Sequence, residues 1–373
     1  MSAMRLLSIV GLAGEIEVLD PSKGESVREV RVRLATTFGT LPAQVQLYSG
    51  TEKLQDELSV IDAVRMTTAL DSDIDEGGST IVLTAVTIAH NFRKHVIDYG
   101  QYRASGVRPG WDGKLAPRPQ GFARLGKVAF PTPRDININM MPFIIGDPDS
   151  IPGEYHQYLP LLRRCAGFLS SVEQGRIGYL TIQESLVRAG QSQRRPGIRT
   201  EAPGLVMLSG GRCSHVSRTL GAPGIFVSCD MLEGGIYMAS TLPKSCRIWN
   251  AQICNPGDVV GHLGDIEHFR EWLGEGTDVE DNELLGITDT TPHESLPVKD
   301  DVYGQCFRFV TSGVTLWWEK HWAKNRLGIR PDPHVTHIIT EDKFDSKRCM
   351  YCNPLWIGWH CRHCGKQVGS DTD

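Results

Sequence analysis

Nowhere in these 373 residues do eighteen apolar residues run together, so no membrane-spanning helix is expected. Charge of one sign is also scarce. The 39 Lys and Arg nearly balance the 44 Asp and Glu, and a net charge of -5 points to no charge-driven partner such as nucleic acid. No secretory leader is expected either: the apolar stretch at 6–13 follows Arg5 but is short and runs into Glu15, Glu17 and Asp20, which reads as a strand. Six of the cysteines, Cys165, Cys213, Cys229, Cys246, Cys254 and Cys306, lack any framework spacing. Reduced thiols in a cytoplasmic or nuclear protein are therefore expected. With 40% hydrophobic content, what remains is an ordinary soluble globular chain of roughly two to three domains.

The other four cysteines are ordered. Cys349 and Cys352 form one C-x-x-C pair and Cys361 and Cys364 a second, separated by only a short segment. A tetrahedral zinc ion takes four soft ligands at about 2.3 Å, and two such turns supply them as a closed structural site. Gly365 permits the positive φ of a tight metal turn, and Trp356 and Trp359 shield the ion. A knuckle this small cannot bury a core, so metal binding must supply its folding free energy. Arg362, His363 and Lys366 give it a mildly basic tip suited to docking a partner.

At the amino terminus, residues 4–10 and 15–20 read as two strands around a glycine turn, and a helix follows. Ser22 and Glu25 stand three apart as a capping box. Val27, Val30, Leu34 and Phe38 repeat at helical spacing as one buried face, while Arg28, Arg31 and Arg33 fall elsewhere. Strands at 45–48, near 53–54 and at 81–86 complete a β-β-α-β-β-β order. The run LYSGTEKLQDELSVIDA, the Pro42 entry and the closing STIVLTAV resemble ubiquitin across residues 4–88. The resemblance implies a β-grasp docking module with Leu47 at the centre of a protein-recognition patch. Thr84 stands where that patch would offer an apolar side chain, and Gly77 and Gly78 precede the last strand, which argues against conjugation. A small docking domain without any link to ubiquitin biology is the alternative.

Residues 89–135 are rich in Gly, Pro and Arg without sustained period and read as a linker, part of which wraps over the next domain through Tyr99, Tyr102, Trp111, Phe122 and Phe130. Residues 136–175 are predicted to be mostly helical. Strands are expected at 177–184, 225–229, 235–240, 245–252, 283–289 and 305–318, which suggests a β-sandwich or jelly roll.

The segments QRRPGIRTE, TPHESLP and YGQCFRFVTSGVTLWW loosely resemble the double-stranded β-helix of cupins and of Fe(II)/2-oxoglutarate oxygenases. The resemblance implies Glu201 and His293 as metal ligands and Arg308 as the partner of the cosubstrate carboxylate. The family places a histidine two residues before its carboxylate, however, and this chain has Arg199 there. A guanidinium donates no lone pair to a metal, so Arg199 is expected to pair with Glu201 or with another carboxylate such as the cosubstrate's. His215, His262 and His268 are the candidates for a replacement ligand. Arg188, Arg194, Arg195, Arg199, Arg212 and Arg218 make a basic segment that reads either as a solvated face or as a convergence on an anionic ligand.

The chain is thus expected to be of the α+β class, with a ubiquitin-like domain at 1–88, a linker at 89–135, a jelly-roll-like core at 136–344 and a zinc knuckle with its tail at 345–373. Both ends are of partner-holding type, which favours an interaction or scaffold protein whose barrel has lost its reaction. An Fe(II)/2-oxoglutarate oxygenase is the competing function.

Overall fold

The computed structural model describes residues 7–11, 14–19, 25–38, 40–49, 52–60, 62, 81–87, 92–99, 120–202, 206–207, 213–214, 224–228, 231–261, 264–340, 359–360 and 367–368. Contacts divide the chain into two compact units. One takes in 1–91, 205–215 and 346–373, and the other 92–204 and 216–345.

In the first unit, strands β1 (Leu7–Gly11), β2 (Gly14–Leu19), β3 (Val45–Ser49), β4 (Glu52–Lys53) and β5 (Ile81–Thr87) form one sheet in the order β2-β1-β5-β3-β4. The β1 and β5 pair is parallel and the others are antiparallel. Helix α1 (Val27–Phe38) starts at a capping box. The Glu29 N–H donates to Ser26 Oγ at 3.2 Å, and the Ser26 N–H donates to Glu29 Oε2 at 2.8 Å. The box therefore falls four residues later than expected. Ser22 lies outside the described residues, and Glu25 instead accepts from Arg33 at 2.6 Å.

Val27, Val30 and Leu34 are buried with Ile9, Val45, Leu47 and Leu83 in one core. Arg31 and Arg33, expected away from the buried face, are buried as well, and their charges are met by Asp56 and Glu25. Leu47 requires a correction. It is 1% exposed, because alternation along β3 turns Val45, Leu47 and Ser49 inward, so it is a core side chain and not the centre of a recognition face.

The second unit is built on two larger antiparallel sheets, with three two-stranded pairs beside them among the described residues. Its strands in chain order are β6 (Val96–Asp98), β7 (Phe122–Lys127), β8 (Asn137–Ile144), β9 (Ile177–Val187) and β10 (Ile198–Arg199). Two short pairs follow, β11 (Val206–Met207) with β12 (Cys213–Ser214), which belongs with the first unit, and β13 (Gly224–Ser228) with β14 (Met231–Gly234). Then come β15 (Ile236–Ser240), β16 (Cys246–Ile248), β17 (Ala251–Ile253), β18 (Thr277–Asp278), β19 (Glu283–Ile287), β20 (His293–Ser295), β21 (Val302–Val310), β22 (Leu316–Trp318) and β23 (His337–Ile339). The larger sheet runs β7-β19-β15-β21-β9-β8 and the smaller β10-β20-β16-β18. Counting β9, β10, β15, β16, β18, β19, β20 and β21 as eight, the sixth, third, eighth and first pair in one sheet. The second, seventh, fourth and fifth pair in the other. Successive strands thus pass back and forth between two sheets, which is compatible with a jelly-roll-like region.

Strand period decides what each face of the larger sheet does. Along β21, Phe307 and Phe309 join a core with Tyr237, Leu180 and Ile182, and helix α2 (Leu159–Ala166) packs into it through Leu161, Leu162 and Cys165. Cys306 and Arg308 alternate with them and face the other way, into the cavity described below. A buried carboxylate ties the helix side together. Glu184 Oε1 accepts from the Tyr158 hydroxyl at 2.6 Å, and its Oε2 accepts the N–H groups of Arg134 and Ile136 at 2.6 and 2.9 Å.

Two sequence expectations change here. The presumed linker supplies β6, which pairs with β17, and β7, which forms an edge of the larger sheet. Ala123 and Leu125 are buried there, but glycines on both sides, Gly121 and Gly126, hide the short alternation. The stretch 136–175 is mostly not α-helical: β8 is a strand, and only Leu159–Ala166 is α-helix. Met140 has φ 52° and the β8–β9 register shifts between Ile138 and Met141, so the two-residue period is broken in mid-strand.

At the carboxyl end β24 (Trp359–His360) pairs with β25 (Gln367–Val368) around the second C-x-x-C pair. Cys349, Cys352, Cys361 and Cys364 themselves lie outside the described residues. Cys165, Cys246, Cys254 and Cys306 are free thiols, and no helix among the described residues is long and apolar enough to cross a membrane.

Candidate functional site

Strand pairing brings together residues far apart in the chain. Arg199 on β10 stands directly opposite His293 on β20, with Ile198 opposite Glu294. The end of β10 is clamped from both sides. The Thr200 N–H donates to the Gly264 carbonyl at 2.9 Å, and the Glu201 N–H donates to the Asp289 carbonyl at 2.8 Å. Gly264 has φ +85°, and a Cβ there would lie 2.1 Å from the Thr200 carbonyl oxygen, so only glycine permits this approach.

Beyond that clamp three of the expected site residues converge. Arg308 Nη2 donates to Glu201 Oε2 at 2.8 Å, and His293 Nε2 lies 3.4 Å from Glu201 Oε1. The side chains of His293, Arg308 and Glu201 are 6, 9 and 13% exposed. His293 Nδ1 lies 3.0 Å from the Thr291 carbonyl, which can only accept, so Nδ1 carries a proton and Nε2 is the atom presented to Glu201. Arg199 goes elsewhere. Its Nη2 donates to Ser295 Oγ at 3.2 Å and its Nη1 to the Arg195 carbonyl. The arginine that pairs with Glu201 is therefore Arg308, and the expectation of an Arg199–Glu201 pair is corrected. Arg199 is held back by β20, where Ser295 shares the strand face of His293.

The electrostatics follow from burial. Desolvation alone would push the Glu201 carboxyl up, but Arg308, His293 and Arg199 outweigh it and hold the group well below the usual carboxylate range. Burial lowers both guanidinium groups, Arg199 to about 10, with Glu201 opposing the shift in each. The residues border a cavity of about 70 Å³ between the sheets. Its polar wall includes Arg194, Arg199, Glu201, His293 and Arg308, and Met238, Leu242, Val279 and Leu285 provide hydrocarbon. Met238 and Cys246 had no signal in the sequence beyond lying on strands, whereas Ser295 could have been found from its two-residue spacing to His293.

The donor set fits a mononuclear iron site poorly. A facial triad requires two imidazoles and a carboxylate on one face of the metal. Here His293 Nε2 and Glu201 Oε1 supply two donors, the other Glu201 oxygen is bonded to Arg308, and a guanidinium stands opposite His293. Of the proposed replacements, the one among the described residues, His268, does not join them. His268 Nε2 is 2.8 Å from the Val259 carbonyl and its ring packs on Phe92 and Phe269, while His215 and His262 lie outside the described residues. Cys246 borders the cavity, but burial pushes its thiol up to about 12, so it is not a thiolate at neutral pH. Among the described residues no group of three His, Cys, Asp or Glu side chains is arranged to hold a metal ion.

No family model matches the chain. No curated protein matches it either. Among solved structures it is similar to the crystal structure of HygX from Streptomyces hygroscopicus with iron bound, at 14% identity and a TM-score of 0.20. That match covers 36% of this chain and 57% of HygX, so the chain spans little more than half the length of that structure. A likeness of that size carries no argument about chemistry, and the site must be read from its own residues.

Proposed function

We propose that this is a modular interaction protein whose jelly-roll-like core has the outline of an Fe(II)/2-oxoglutarate oxygenase without its reaction. The observation that carries the reading is Arg199 opposite His293, a fixed cation at a position where a metal site of that class needs a lone pair. Arg308 supports it. The expected cosubstrate anchor is engaged in a 2.8 Å ion pair with Glu201, the residue expected to be a metal ligand. In this reading the five-stranded sheet and helix α1 of the first unit serve as a ubiquitin-like docking module, and the four terminal cysteines form a zinc knuckle.

One feature favours the competing oxygenase: His293 Nε2 and Glu201 Oε1 face each other at a separation that a cation could bridge. Metal analysis separates the two. Protein purified without added metal, and again after anaerobic loading with Fe(II), is expected to hold zinc close to one per chain and no stoichiometric iron. Iron at one per chain that disappears in His293→Ala overturns the proposal.

A further inference from the structure

Charge in the cavity does not balance. Among the described residues its wall contains three guanidinium groups, Arg194, Arg199 and Arg308, and two carboxylates, Glu201 and Glu283. Glu283 is paired with Arg124, on the neighbouring strand β7, and Glu201 with Arg308. That leaves Arg194 and Arg199 with neutral hydrogen-bond partners only among the described residues. Arg194 Nη1 meets Gln183 Oε1 at 3.4 Å, and Arg199 meets a serine hydroxyl and a main-chain carbonyl. Arg199 is 8% exposed, and a cation this deep is costly when its one nearby carboxylate, Glu201, is already bonded to Arg308 and its own hydrogen bonds go to neutral groups.

We propose that the cavity binds a short organic carboxylate, whose anionic end is received by Arg199 with help from Arg194 and whose hydrocarbon end lies against Met238, Leu242, Val279 and Leu285. The inference rests on the reading of this core as a binding domain rather than an oxygenase, and it names the ligand class. Shape and chemistry agree on that class. A volume of about 70 Å³ holds on the order of five to seven water-sized atoms, the size of a carboxyl group with a few carbons. An inorganic oxyanion would satisfy the guanidinium groups but leave the four apolar side chains without a partner. Half-exposed Gln193 and Arg194 mark the mouth, and Arg199 with Ser295 lies deeper. Planar guanidinium forks are suited to a carboxylate's two oxygens.

Butyrate is a suitable probe for the full-length protein, with 1-butanol and inorganic phosphate as controls for its two halves. Calorimetric titration is expected to show saturable butyrate binding, a matching rise in the thermal midpoint and no response to either control. Arg199→Met should abolish binding. Arg194→Gln, at a half-exposed position where folding is not at risk, should weaken it about tenfold, the effect of losing one charge-assisted hydrogen bond. Absence of saturable butyrate binding, an equal response to phosphate, or unchanged affinity in either variant overturns the inference. Iron content measured on the same sample keeps the two ideas apart. Stoichiometric iron sinks the non-oxygenase reading, whereas an iron-free protein that ignores butyrate sinks the ligand alone.

Discussion

Replacing Glu201 by Gln tests the electrostatic account of the core most directly. Glu201 is the carboxylate that offsets Arg308 at 2.8 Å and also lowers the cost of Arg199. Removing one partner of a buried ion pair costs about 3–5 kcal/mol, because the remaining charge stays buried. Glutamine keeps a carbonyl that can accept from Arg308, so the lower end, about 3 kcal/mol, is expected. For a unit of this size each kcal/mol moves the midpoint by about 2–4 °C, which gives a fall of roughly 6–12 °C. Urea denaturation reads the free-energy loss and thermal denaturation the midpoint, both followed by tryptophan fluorescence, since Trp249, Trp317, Trp318 and Trp322 are all buried in this unit. The double variant Glu201→Leu with Arg308→Met should recover only part of the loss, because Arg199 then has no carboxylate near it. Adding Arg199→Met should recover most of the rest. A loss below about 1 kcal/mol in Glu201→Gln would refute the argument, since a loss that small is what an exposed pair gives.

The same carboxylate sets a pH dependence. Its folded value is depressed far below the unfolded value of about 4.3, so the unfolded chain binds more protons in acid, and stability is complete above that value and drains away as pH falls below it. The urea midpoint of the native protein should therefore drop between about pH 5 and pH 3, and Glu201→Gln should show a shallower slope. Tyr158→Phe takes one donor from Glu184 Oε1, leaving Gln305 Nε2 at 3.2 Å on that oxygen, and should cost about 1–3 kcal/mol by the same urea assay. Leu47→Ala should destabilise the first unit by about 2–5 kcal/mol and remove hydrogen-exchange protection from α1 and β3. Full protection in that variant would return Leu47 to the surface.

How legible this was in the sequence depended on the distance over which a signal acts. Strand positions such as 177–184 and 235–240 follow from local period, and so does the division of β21 into Phe307 and Phe309 on one face and Arg308 on the other. The inward turn of Leu47 was equally local, since Val45 and Leu47 alternate with Gln46 and Tyr48, but the likeness to ubiquitin pointed outward and the alternation should have prevailed. The break in β8 was not readable, because a residue with positive φ changes the face without changing the letters.

The site shows the same limit in its charges. Arg199 and Glu201 lie two residues apart on one extended segment, and proximity in the text favoured their pairing. The sheet favours a different one. Cross-strand pairing sets Arg199 against β20, where the Ser295 hydroxyl and the Arg195 carbonyl hold its fork, while Arg308 reaches Glu201 across a separation of 107 residues. One carboxylate cannot bond both guanidinium groups equally at 2.8 Å, and the arginine it does not bond is the one we propose receives an anion from solution. A cation where a metal-binding imidazole was expected is thus a loss to one chemistry and the basis of recognition for another.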